Sequence, residues 1–211
     1  MTGTELSSNL GLRLEDSAEG IFTSQMKVNA INSAQKQVVS LIDNKHLAEL
    51  EVVANNQATS AGVVSFSTAS ITPIGNGIVG VYDEDNDKWC TRVEPGEVKR
   101  LENSYLSGDT TSPVFYVFDE TIYVKPTTAT IIDIWYINKP TDYTTGTLSS
   151  SCELAPALQE VLLDIAESQL WRMDGKGDRG NTVMQNAINV IQMLNGRIIG
   201  DETKSVGSAG R

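Results

Sequence analysis

The spacing of apolar residues changes twice along this chain, and no single motif restricts the fold as much. From Thr23 onwards, Met26, Ala30, Ile31, Ala34, Val38, Leu41 and Ile42 recur every three or four residues. That period predicts a helix with one apolar face, capped by Thr23 or Ser24, with Lys27, Gln35 and Lys36 turned to water. Leu6, Leu10 and Leu14 predict a shorter helix before it, weakened by Gly11 and ended by the polar Glu15-Asp16-Ser17. Helical spacing returns after Pro156, a residue tolerated in a first turn, at Leu158, Val161, Leu162, Ile165, Ala166 and Leu170. It resumes after Gly175 to Gly180 at Met184, Ala187, Ile188, Ile191, Leu194 and Ile198, which makes an αα-hairpin.

Between these ends, from about Val63 to Asn138, the pattern is one of short β-branched and aromatic runs broken by turn formers. Val63 to Phe66, Ile78 to Tyr82, Trp89 to Val93, Val114 to Phe118, Ile122 to Lys125 and Ile131 to Ile137 are expected strands. Asp119-Glu120 separates two alternating runs as a hairpin turn does, Pro126 closes the second, and Gly75-Asn76-Gly77 has the composition of a turn. Glu97 to Asn103, after Pro95-Gly96, fits a helical turn or a strand equally. Lys139 to Ser151, rich in Thr and Ser, is expected to be an extended crossing. The apolar faces at the two ends of the chain have no partner but each other. The expected class is therefore α+β: a helical bundle of residues 1–55 and 152–199, an antiparallel β domain of residues 56–151 inserted between its halves, and a flexible C-terminal arm of residues 200–211.

Charge and motif narrow the function. The 16 Lys and Arg against 27 Asp and Glu give a net charge of −11, which argues against a sequence-independent nucleic-acid binder because phosphate contacts need cations. Met1-Thr2-Gly3-Thr4-Glu5 has no basic n-region, and the most apolar runs fall short of the roughly 20 residues of a membrane span. A soluble protein made in a reducing cytoplasm, with no membrane partner, is expected. Cys90, Cys152 and the sole histidine, His46, lack the spacing of a zinc site or a nucleophilic triad. Asp83, Asp85, Asp87 and Glu94 have the oxygen spacing of a calcium loop, but Lys88 stands where its tight turn needs glycine, so a solvated acidic hairpin tip is expected and no metal. Gly175-Lys176-Gly177-Asp178-Arg179-Gly180 satisfies GxGxxG, yet a helix precedes it where a dinucleotide fingerprint needs a strand. His46 is expected at the surface near a helix end, and Trp89, Trp135 and Trp171 in the core or an interface. No cofactor and no catalytic site is legible. A hydrolase built on Asp83, Asp85, Asp87 and Glu94 is the enzymatic rival.

Order of elements carries more than any motif. The helix around Asn32-Ser33-Ala34-Gln35-Lys36-Gln37-Val38-Val39 is followed by Phe115-Tyr116-Val117-Phe118-Asp119-Glu120-Thr121-Ile122-Tyr123-Val124-Lys125-Pro126. Ile134-Trp135-Tyr136-Ile137-Asn138-Lys139-Pro140 and the helix start Glu153-Leu154-Ala155-Pro156-Ala157-Leu158-Gln159-Glu160 come next. Over roughly residues 20 to 199 the sequence resembles the head-to-tail adaptor (connector or head-completion) proteins of tailed bacteriophages, though it has a larger β region than the mostly helical ones. The resemblance implies a non-enzymatic virion protein of the head-tail junction, assembled in the host cytoplasm. It further implies a ring, commonly of twelve identical subunits, that binds the portal protein above and a tail nozzle or tail-tube component below. DNA would pass through the channel without specific binding. A C-terminal segment would dock on the portal, with Arg197, Lys204 and Arg211 the candidate partner-binding cations. The alternative is another tail or capsid accessory protein whose β domain binds a neighbouring protein or a host glycan.

Overall fold

Thr2 starts the first helix: its hydroxyl accepts the Glu5 N–H while the Glu5 carboxylate accepts the Thr2 N–H, closing a capping box. The computed structural model describes residues 1–16, 18–97 and 108–206. Its long helices are α1 (Gly3–Arg13), α2 (Ser24–Leu41), α3 (Pro156–Met173) and α4 (Gly177–Val206). Thr23 caps α2 through the Met26 N–H, and Pro156 lies in the first turn of α3. The α+β chain divides into two units, one of residues 1–49 and 140–211 and one of residues 50–139.

In the helical unit α3 is central, meeting α1, α2 and α4. Leu6, Leu10, Ile31, Ala34, Val38, Leu158, Leu162, Ile165 and Leu170 are buried, each large aliphatic side chain removed from water contributing about 1.5–3 kcal/mol. Lys27 and Gln35 depart from expectation. Both are buried, because residues 27, 31, 35 and 38 fall on one stripe at the helical period. The Lys27 ammonium is compensated by the Asp16 carbonyl at 3.0 Å and the Glu19 carboxylate at 3.8 Å. Lys36 stays at the surface, paired with Asp142 at 2.8 Å. Residues 140–151 are fastened to the helices: Gly3 N–H donates to the Ser150 carbonyl, Thr4 N–H to that of Leu148, and Asn32 exchanges two hydrogen bonds with the Tyr143 backbone.

The other unit is two four-stranded sheets. One has the order β1 (Glu51–Ala58), β8 (Ile131–Asn138), β3 (Pro73–Asp83), β4 (Lys88–Trp89); the other β2 (Val63–Ser65), β7 (Thr121–Lys125), β6 (Val114–Phe118), β5 (Thr91–Arg92). A buried cluster that includes Val64, Ile78, Val81, Phe115, Ile122, Val124, Ile132 and Ile134 lies between them. Pairing is antiparallel except for β5 with β6, which is parallel, a departure from the all-antiparallel expectation. Residues 51–58 belong here as an edge strand of β8. Their polar composition hid them, and the register slips between Ala54 and Gln57. Gly75-Asn76-Gly77 is not a turn between strands but an irregular stretch within β3, where a Cβ on Gly77 would lie 2.6 Å from the Ile74 carbonyl oxygen. Asp119 and Glu120 have φ of 47° and 53°, the mirror-image hairpin turn that matches strand twist. Of the open stretch Glu97 to Asn103, only Glu97 lies within the described residues up to 97, in a short 3₁₀ turn from Pro95.

Candidate functional site

The cations singled out near the C-terminus share one element in part. Arg197 and Lys204 both lie on α4, seven residues and so two turns apart, whereas Arg211 lies outside the described residues. The helix runs to Val206, past residue 200 where an arm was expected to begin. Upstream, α4 places Ala187 and Ile191 in the core but leaves Val190 and Met193 exposed. At 100° per residue, positions 190, 193, 197 and 204 fall on one stripe of the helix. The same helix is tied to the end of α2: the Asn195 side chain accepts the Asp43 N–H and donates to the Leu41 carbonyl, and His46 Nε2 lies 3.2 Å from the Leu194 carbonyl oxygen. His46 therefore contacts a backbone carbonyl of α4.

The GxGxxG stretch is the turn between α3 and α4. Gly175, at φ 77°, ends α3 in a left-handed conformation, with its N–H on the Arg172 carbonyl and the Lys176 N–H on that of Trp171. Gly177 opens α4, and Gly180 lets the helices approach, since a Cβ there would meet the Ser168 carbonyl oxygen at 2.8 Å. Gly175 and Gly180 thus each have a local use that requires no phosphate, whereas Gly177 has open space around it. Trp171 is buried against this turn. Its ring meets Phe22 edge-on at 6.2 Å, Lys176 and Arg179 lie 4.6 and 4.1 Å from its centroid, and its N–H donates to Glu167 at 2.9 Å. Arg13 extends the polar network, pairing α1 with Glu160 and Asp164 of α3.

The acidic residues 83–87 do form a hairpin tip, between β3 and β4, but their carboxylates do not converge on a cation. Asp83 is buried and accepts the Asn86 N–H and side-chain amide. Asp85 accepts from Thr130 and Ile131, whose hydrogen bonds hold its carboxyl below the usual range, the Thr130 N–H most. Asp87 accepts from the Tyr82 hydroxyl. Among the described residues no group of three metal-ligating side chains comes together. Cys90 is pushed up to about 12 by burial and by the charge of Asp83, and burial also raises Cys152, so both thiols are protonated at neutral pH and poor nucleophiles.

Sequence reasoning put all three tryptophans in a core or an interface, and Trp89 is not in the core. It is 58 % exposed and joins Trp135 and Tyr82 in an aromatic cluster on the sheet surface, with ring centroids 4.6 and 5.4 Å away. The signal for it was the alternation of Tyr82 and Trp135 with inward aliphatics, but the pairing that unites them lies between strands distant in sequence.

Two clefts of about 260 Å³ open on the helical unit, one beside Ser7, Gly11, Glu19 and Lys27, the other beside Gln35, Tyr143, Ser150 and Glu153. No helix among the described residues is long and apolar enough to cross a membrane. No curated protein matches the sequence significantly. The sequence does match the family model described as SU10 adaptor protein over residues 1–207, and with nearly the whole chain covered the protein belongs to that family of phage head-to-tail adaptors.

Proposed function

We propose that this structural virion protein assembles with identical copies into a ring beneath the portal, commonly of twelve subunits in such junctions, and joins the DNA-filled head to a tail nozzle or tail-tube component without catalysing a reaction. The whole-chain match to an adaptor family carries the proposal. The bare stripe of α4 supports it, since Val190 and Met193 are apolar side chains that a neighbouring copy can cover. The net charge of −11 suits a channel past which a duplex slides without adhering. Arg197, Lys204 and Arg211, with residues 200–211, are the proposed docking segment for an acidic surface of the portal. Particle size by light scattering and electron microscopy, for the chain alone and mixed with portal, tests this: a discrete ring on portal is expected, and a chain that stays monomeric and apart from portal overturns it. The exposed Trp89 cluster favours a second role besides, the binding of a neighbouring protein by the β unit.

A further inference from the structure

One face of the sheet β1-β8-β3-β4 presents aromatic rings and carboxylates side by side. Strand alternation puts Asp133 and Trp135 of β8 on that face, opposite Tyr82 and Gly80 of β3 in register, and Trp89 of β4 stands opposite Tyr82. Gly80 makes the arrangement possible. A Cβ there would come within 2.9 Å of the Trp89 ring, so the indole lies down on bare backbone and against Trp135, with more than half of the residue still in water.

Carboxylates flank the rings. Asp87 accepts from the Tyr82 hydroxyl and Asp133 accepts the Asn56 N–H at 2.6 Å. Glu84, in the turn that follows β3, is held above the ordinary carboxylate range by a hydrogen bond to Asp133, then by burial and by the charges of Asp133, Asp87 and Asp85. Tyr82 registers the same field, its phenol pushed up to about 12 by Asp87 first and then by burial. Among the described residues, no Lys or Arg forms an ion pair with any of these carboxylates. Lys88 alternates to the other side of β4 from Trp89.

We propose that this face binds a basic segment of another protein, with an arginine guanidinium or lysine ammonium lying over the open face of Trp89 and beside the exposed carboxylates of Glu84 and Asp87, the buried carboxylate of Asp133 adding to the field. Charge complementarity decides the occupant. A cation gains from the ring quadrupole and relieves the repulsion among the carboxylates, whereas a neutral sugar stacking on the ring gains nothing from that repulsion, and DNA is repelled by it. The inference goes beyond the ring reading and does not depend on it.

The test uses the full chain at low ionic strength, titrated with the peptide Gly-Arg-Gly-Arg-Gly, with the same peptide carrying citrulline for arginine, and with a neutral glucose hexasaccharide, followed by tryptophan fluorescence and calorimetry. The arginine peptide is expected to bind and to perturb the fluorescence. Citrulline and Trp89→Ala are each expected to weaken binding about tenfold, the size of a partly desolvated cation–π contact. Because removal of an indole can disturb a sheet surface, Glu84→Gln and Asp87→Asn are measured too, and each should weaken the arginine peptide several-fold while leaving the melting temperature unchanged or raised. Equal binding of both peptides, affinity indifferent to Trp89→Ala, no binding at all, or Trp89-dependent binding of the hexasaccharide in place of the peptide would each overturn the proposal.

Discussion

Asp16 holds the turn between α1 and α2 by accepting the N–H groups of Gly20, Ile21 and Phe22 at 2.8, 3.2 and 2.7 Å. The Phe22 bond does most to lower its pKa, against the opposing effect of burial, with Ile21, Gly20 and the charge of Lys27 adding to it. A carboxyl lowered by folding stabilises the native state above its unfolded pKa, and that contribution is lost as pH falls through the depressed folded value. Thermal melts should therefore show the native chain more stable than Asp16→Asn at neutral pH, with the gap closing below about pH 4; a gap independent of pH would show that the charge plays no part. Glu120 is a second residue-scale case. It holds a left-handed φ of 53° with a bulky side chain, so Glu120→Gly is expected to gain about 1 kcal/mol in urea unfolding. The turn itself was legible as a two-residue spacer between alternating runs, but the sign of φ at each residue was not, because glutamate carries no preference for it.

Elements meet through small features that periodicity does not encode. Gly180 has Ser168 O at 2.8 Å from its would-be Cβ, while Gly177 has open space. Gly180→Ala should push α4 from α3 and cost about 1–3 kcal/mol. Gly177→Ala should change stability by less than about 0.5 kcal/mol, and equal effects in chemical denaturation would refute the packing account. Ser168 is fully buried and its hydroxyl has no hydrogen-bond partner, so Ser168→Ala is expected to stabilise by about 1 kcal/mol. The four long helices were visible in the sequence because each must bury a stripe that recurs at the helical period. β1 was not visible, since an edge strand with the burial of Glu51–Ala58 needs little apolar patterning; its partner β8, buried on one face and flanked on both sides, could hardly be missed. Lys27 and Gln35 were misplaced for a related reason: spacing puts both on the buried stripe, where Lys27 finds the Asp16 carbonyl and the Gln35 amide nitrogen has no hydrogen-bond partner.

At the scale of the molecule, the interfaces to other proteins are expected on surfaces that the fold leaves uncovered. Charging the α4 stripe with Val190→Glu and Met193→Glu should leave the monomer's melting temperature within a few degrees and abolish ring formation on portal, read by sedimentation; rings formed as before would remove α4 from the interface. Deleting residues 200–211 is expected to preserve the fold and weaken portal docking, although it also removes the last turns of α4. The sequence by itself determined the α+β class, the four long helices and the strands after β1 in their order, because hydrophobic period and turn chemistry are local properties of the chain. Only the tertiary structure decided that Trp89, Trp135 and Tyr82 form one surface among carboxylates, that Gly175 and Gly180 of the GxGxxG stretch serve a helix turn, and that residues 140–151 belong with the helices. Those outcomes depend on which strands pair and in what register, and pairing joins residues too far apart along the chain for any local pattern to record.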